Sequence, residues 1–290
     1  MTSLFLNDEE VSFGDEYLIN GTLTTPKNEG PYPYVILLSG SGPNDRDETI
    51  GPNKPLEDIA NGLAQNGIAS LRFDKRTYSY LNECAKDIYF TLEDEYIEDT
   101  IAAYNFIKER DDVSAIYILG HSLGGQILPL VAQEVEVDGL IYLAAPARGF
   151  LELLEEQISF LETAEGSDLS QYKEEIVKLK ELDNLSEDDF LLGAYKTYWL
   201  DLLSYNQVEE AKNLDVPQLF LQGEEDYQVS MEDFTIWKEN LPDANFKSYP
   251  GLTHIFAEGK KEMGPSVYLN KAKVNDEVIE DIVDFINNLQ

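Results

Sequence analysis

The sequence predicts an α/β fold, a mostly parallel central sheet with helices on both faces and an inserted helical cap, on three observations. Continuous apolar runs at residues 34–38, 68–73, 115–119 and 139–144 have the length and composition of strands buried on both faces. Segments of helical spacing separate them, the alternation that builds a parallel sheet through short crossovers. The alternation breaks once, from Arg148 to about Asn206, where only amphipathic segments and no strand are read. The expected division is a core of residues 1–147 and 207–290 and a cap of residues 148–206.

A chain of 290 residues, 43% hydrophobic and 27% charged, is long enough for one such domain with an insertion. Its 56 acidic against 21 basic residues leave a formal net charge of −35, so neither nucleic acid nor an anionic membrane is expected as a partner. Lysine outnumbers arginine sixteen to five, which favours a plain solvated acidic surface over salt adaptation. The first ten residues hold no basic segment followed by an apolar one, and no apolar run approaches spanning length, so a cytoplasmic protein is expected. One cysteine and two histidines leave little for zinc; no metal is expected, and Cys84 is read as an inert thiol. A homo-oligomer is left open.

In order along the chain, residues 11–24 carry β-branched and aromatic residues broken at Gly14-Asp15, a pair of short antiparallel strands. The strand at 34–38 empties into Ser39-Gly-Ser-Gly-Pro-Asn-Asp-Arg-Asp47, a loop dense in turn formers, in which residues 44–47 are read as bracing the backbone. A helix over 56–66 stops at Gly67, and the strand at 68–73 ends on Asp74-Lys75-Arg76. Residues 78–89 show no clear period. A helix at 93–109 buries one side and leads to the strand at 115–119; the helix that follows, at 126–133, should be bent at Pro129. Amphipathic segments are expected at 150–161, 172–182 and 190–205, where Tyr195, Tyr198, Trp199 and Tyr205 either line a substrate pocket or pack the insertion onto the core. Strands at 218–221 and 246–249 flank a helix at 232–240, and a helix at 277–289 closes the chain with Ile279, Ile282, Val283 and Ile286 inward.

The chemistry concentrates at Gly120-His121-Ser122-Leu123-Gly124, between a buried strand and a helix. There a tight turn lifts a serine hydroxyl above the sheet edge. Ser122 is the candidate nucleophile. A side chain at Gly120 or Gly124 would collide across the turn, and the Leu123 N–H stays free at the helix start to stabilise negative charge. The loop after the strand at 34–38 is placed to supply a second backbone donor, assigned to Ser41. Serine needs a base to take its proton. His121 adjoins the nucleophile and should point away across the turn, which leaves His254 as the base. For the acid that orients it, Asp226 follows a late strand, with Glu224 and Glu225 in the same loop as alternatives.

At these residues the chain resembles the α/β-hydrolase superfamily over nearly its whole length, and more narrowly bacterial serine esterases related to the cinnamoyl and feruloyl esterases and the serine aminopeptidases. The narrower resemblance rests on Ser39-Gly-Ser-Gly-Pro-Asn-Asp-Arg-Asp47, Phe73-Asp-Lys-Arg76, Gly120-His-Ser-Leu-Gly-Gly125, Tyr198-Trp-Leu-Asp-Leu202, Gln222-Gly-Glu-Glu-Asp-Tyr-Gln-Val229 and Tyr249-Pro-Gly-Leu-Thr-His254. It implies an α/β-hydrolase fold, the triad Ser122, Asp226 and His254, hydrolysis of small neutral acyl esters through an acyl-enzyme, and no cofactor. Ser39 departs from the pattern, since many relatives carry histidine there. An aminopeptidase or amidase, an acyl-CoA thioesterase and a non-catalytic binding module are the competing readings. Five arginines in so acidic a chain speak against the polyanionic coenzyme.

Overall fold

The computed structural model describes residues 6–290. Residues 1–5, part of the stretch read for a targeting signal, lie outside the described residues. Among those described, eight strands form one sheet. They are β1 (Leu6–Phe13), β2 (Ile19–Pro26), β3 (Tyr32–Leu38), β4 (Ala69–Phe73), β5 (Val113–His121), β6 (Gly139–Leu143) and, beyond a two-strand hairpin β7 (Phe190–Leu191) and β8 (Ala194–Tyr195), β9 (Gln218–Gly223) and β10 (Asn245–Tyr249). The order is β1-β2-β4-β3-β5-β6-β9-β10, with β2 antiparallel to both neighbours and every other pairing parallel.

The pleat sends successive side chains to opposite faces, and the central strands are apolar on both. On β3, Tyr34, Ile36 and Leu38 enter one buried layer and Val35 and Leu37 the other. The second layer is closed by α1 (Pro55–Gln65), through Leu56, Ile59 and Leu63, and by the carboxy-terminal helix, through Ile279, Ile282, Val283 and Ile286 as expected. Between α1 and the first-layer helix, the stretch without a period folds as two single turns, α2 (Arg76–Ser79) and α3 (Leu81–Cys84), too short for periodicity to register. The first layer is closed by α4 (Glu98–Lys108), entered through a π-turn at Glu93–Ile97, and by α5 (Leu123–Glu134), which continues through Pro129.

Residues 148–206 contain α6 (Phe150–Glu165), α7 (Ser170–Leu179) and α8 (Lys196–Ser204), and here the expectation of no strand is corrected by the hairpin β7–β8. Its turn is Leu192-Gly193, both at positive φ, as tight hairpins require. Leucine in the position usually held by asparagine or aspartate hid that turn. Tyr198, Trp199 and Leu202 on α8 join the first buried layer. A short helix missed in the sequence, α9 (Gln207–Lys212), is capped by the Asn206 side chain and returns the chain to β9. Helices α10 (Met231–Asn240) and α11 (Asp276–Asn288) complete the fold, with a 3₁₀ stretch at Lys261–Leu269 between them. No helix of the described residues is long and apolar enough to cross a membrane.

Candidate active site

Ser122 sits between β5 and α5 with φ 52°, a left-handed conformation that a non-glycine residue holds only under constraint. Its N–H donates to the Leu143 carbonyl at 2.9 Å, and Gln126 N–H donates to the Ser122 carbonyl at 3.0 Å, closing the first helical turn. The Leu123 N–H ahead of that turn lies outside the helical ladder. The two glycines serve different neighbours. A Cβ on Gly120 would fall 2.4 Å from the Gly124 carbonyl oxygen, across the turn. One on Gly124 would fall 2.5 Å from the Ser39 carbonyl oxygen, so that glycine admits the loop carrying Ser41 and is not merely a relief within the turn.

His254 follows β10 and is buried, 5% exposed, with Nδ1 2.6 Å from Asp226 Oδ2. Asp226 accepts three more hydrogen bonds: from Gln228 N–H at 2.7 Å and Val229 N–H at 3.0 Å on Oδ1, and from Gln222 Nε2 at 3.1 Å on Oδ2. A carboxylate with four donors has its charge compensated and its orientation fixed. The two alternative acids face elsewhere: Glu224 accepts from Ser248 Oγ at 2.8 Å, and Glu225 pairs with Lys260 at 2.7 Å. Ser122 and His254 line one cavity of about 170 Å³, together with Ser41, Asn44 and Gln228. Asp226 lies behind His254.

His121 lines the same cavity, but both of its ring nitrogens are engaged away from the Ser122 hydroxyl, and its side chain bridges two loops. Its Nδ1 is 2.9 Å from Glu48 Oε1 and its Nε2 is 2.9 Å from the His254 carbonyl oxygen. Burial alone would favour the neutral ring, but the adjacent Glu48 carboxylate and the His254 carbonyl raise its pKa above the ordinary histidine value. Glu48 Oε1 also accepts from Gly40 N–H at 2.7 Å. The sequence offered no sign of Glu48, whose positive φ and inward carboxylate depend on the closed loop.

The 39–47 loop is held much as read. Asn44 Nδ2 donates to the Gly40 and Ser41 carbonyls, Asp45 accepts from Thr49, Arg46 forms a two-pronged contact with Asp74, and Asp47 receives Lys54 and Arg72. On the other side of Ser41 a second cavity of about 320 Å³ is bounded by Leu123, Phe150, Phe190, Tyr195, Tyr198 and Trp199. Three of the four aromatics expected as pocket or packing residues, Tyr195, Tyr198 and Trp199, therefore reach the cavity, and two of these are also anchored: Tyr198 Oη donates to Glu95 Oε2 at 2.6 Å and Trp199 Nε1 to the Leu191 carbonyl at 2.9 Å. Tyr205 instead donates to the Gln126 carbonyl. Cys84 lines the same cavity, where burial pushes its thiol pKa up to about 11. No cluster of histidine, cysteine and acidic residues able to hold a metal occurs among the described residues.

Known proteins share both the sequence and the architecture. A relative, esterase EstD of Thermotoga maritima, is 39% identical over 266 residues, covering 90% of this chain; the chain spans 64% of that relative's length. Est1E from Butyrivibrio proteoclasticus superposes with a TM-score of 0.62 at 18% identity, covering 97% of this chain and 98% of its own. The Pyrococcus furiosus esterase Pf2001 gives 0.60 at 14% identity, covering 98% and 91%. At those identities the two structures speak to the fold, an α/β-hydrolase fold, and the sequence model of serine aminopeptidase S33 matches residues 54–259. The chain belongs to the serine aminopeptidase S33 family.

Proposed function

We propose that the protein is a serine carboxylesterase acting on small neutral acyl esters, short-chain or aromatic, with Ser122, His254 and Asp226 as its triad. The observation that carries the reading is Ser122, raised on a strained turn, sharing a cavity with a buried His254 whose Nδ1 is 2.6 Å from Asp226. His254 takes the Ser122 proton as the hydroxyl attacks the ester carbonyl. The N–H groups of Ser41 and Leu123 receive the oxyanion, and His254 returns the proton to the departing alcohol. Water, deprotonated by the same ring, then releases the acid. Asp226 holds the ring in the tautomer that presents Nε2 and stabilises its cation.

Residues 148–206 act as the cap. The larger, aromatic-walled cavity beneath it takes the acyl group, and the smaller cavity beside His254, which must protonate the leaving group, takes the alcohol. Every arginine is already paired with carboxylate: Arg46 with Asp74, Arg72 with Asp47, Arg76 with Asp99, Arg110 with Asp112 and Arg148 with Asp233. None is left for coenzyme A phosphates. The esterase name of the 39%-identical relative supports ester over amide chemistry.

Hydrolysis of p-nitrophenyl esters of increasing acyl length, wild type against Ser122→Ala, tests the reading, with aminoacyl anilides alongside. Turnover of short esters that vanishes in the variant is expected. Cleavage of anilides alone would make the protein a peptidase, and inertness to both would make it a binding module.

A further inference from the structure

The Gly40–Ser41 peptide is gripped from its carbonyl side. Three donors converge on the Gly40 oxygen: Tyr96 Oη at 2.8 Å, Lys75 Nζ at 3.1 Å and Asn44 Nδ2 at 3.1 Å. Lys75 is buried, and its three N–H bonds are fully used, on Gly40 O, on Tyr96 Oη at 2.9 Å and on Glu95 Oε1 at 2.5 Å. The other oxygen of Glu95 accepts Tyr198 Oη, from α8. Placing an ammonium, a carboxylate and two phenols in a dry site is costly unless each is satisfied, and here each is. Burial holds the pKa of Tyr96 and of Tyr198 well above the ordinary phenol value, so both keep the proton they donate.

A trans peptide is planar, with C=O and N–H pointing in opposite directions. Whatever fixes the Gly40 carbonyl therefore aims the Ser41 N–H. A cation at the carbonyl oxygen also draws electron density out of the amide and makes that N–H a stronger donor. We propose that Lys75 and Tyr96 are positioning residues for the oxyanion site, which orient and polarise the Gly40–Ser41 peptide, and that Glu95 ties this device to Tyr198 of the cap. The proposal rests on the reading of Ser41 N–H as an oxyanion donor. It gives Lys75 in Phe73-Asp-Lys-Arg76 a task that no contact with substrate would reveal.

The test uses the full chain and p-nitrophenyl butyrate. Wild type against Ser122→Ala first decides the underlying reading: absence of serine-dependent turnover removes that reading and the proposal together. With turnover established, Tyr96→Phe and the charge-balanced double variant Lys75→Met/Glu95→Gln are compared by kcat, by KM, by burst titration of active sites and by affinity for an alkyl trifluoromethyl ketone, whose adduct puts an oxyanion in the hole. Complete loss of one oxyanion donor lowers kcat by about 10²–10³-fold, so misaiming one should lower kcat per titrated site by about 30- to 100-fold in the double variant and by about three- to tenfold in Tyr96→Phe. KM should stay within about twofold, and ketone binding should weaken in step with kcat/KM. An unchanged kcat per titrated site, with only the active fraction or the melting temperature reduced, would overturn the proposal alone. So would a loss confined to KM. If the double variant does not fold, Tyr96→Phe, which deletes a single oxygen, still decides.

Discussion

His121 Nε2 lies 2.9 Å from the backbone carbonyl oxygen of His254, so the residue beside the candidate nucleophile holds the loop of the candidate base. Its other nitrogen faces Glu48 Oε1, itself bound to Gly40 N–H. Both ring nitrogens meet acceptors, an arrangement that a doubly protonated imidazole satisfies and a neutral one does not. The folded pKa is raised, so the stabilisation from this proton is complete below the ordinary histidine value of about 6.5 and is lost as pH rises through the higher folded value. The difference in urea unfolding free energy between wild type and His121→Gln should therefore shrink from pH 6 upward. A difference that grows with pH would contradict it.

Asp226→Asn should keep the fold and lower kcat by about 10³–10⁴-fold, because an amide cannot hold the His254 Nδ1 proton as the carboxylate does. Circular dichroism and ester turnover, measured on the same preparation, separate lost chemistry from lost structure.

Gly124→Ala should destabilise by about 1–3 kcal/mol, since a methyl would fall 2.5 Å from the Ser39 carbonyl oxygen and neither backbone can yield cheaply. Ester turnover per folded molecule should fall with it, because the segment pushed away is the one that carries Ser41. Normal turnover with reduced stability would uncouple the two.

Asp233 is fully buried on α10, where Oδ1 accepts the N–H groups of Ala147 and Arg148 and Oδ2 accepts the Arg148 guanidinium at 2.8 Å. Removing one partner of a buried pair costs about 3–5 kcal/mol, so Asp233→Ala should show a loss of that size in chemical denaturation. A loss under about 1 kcal/mol would mean that water replaces the carboxylate.

Cys84 should react slowly with iodoacetamide at pH 7.5, its thiol being buried and shifted up to about 11. Activity should survive prolonged exposure; although Cys84 borders the larger cavity, fast inactivation prevented by Cys84→Ala would show that its thiol ionises more readily than its burial implies.

The strands and long helices were legible because burial imposes a period, continuous for β3 and β5 and helical for α1 and α11. The triad candidates were legible because two histidines left little choice and the order serine, acid, histidine is restrictive. What supports them was not. Glu48, Lys75 and Glu95 are charged residues in a chain full of charge, and nothing local marks which of 56 acids turns inward. Their roles arise from contacts between segments far apart in sequence, Lys75 with Gly40 and Tyr198 with Glu95, which spacing does not encode. The β7–β8 hairpin failed for a different reason: two residues per strand are too few to alternate.

With all five arginines drawn into carboxylate contacts, the outward field of the molecule is set by unpaired acids and a thinner population of lysines. Discrimination then begins before any pocket is reached. An anionic solute climbs a repulsive potential on diffusional approach, while a neutral one arrives unhindered. At physiological ionic strength that potential decays over about 8 Å, so added salt should raise the encounter rate of anionic esters and leave that of neutral esters unchanged.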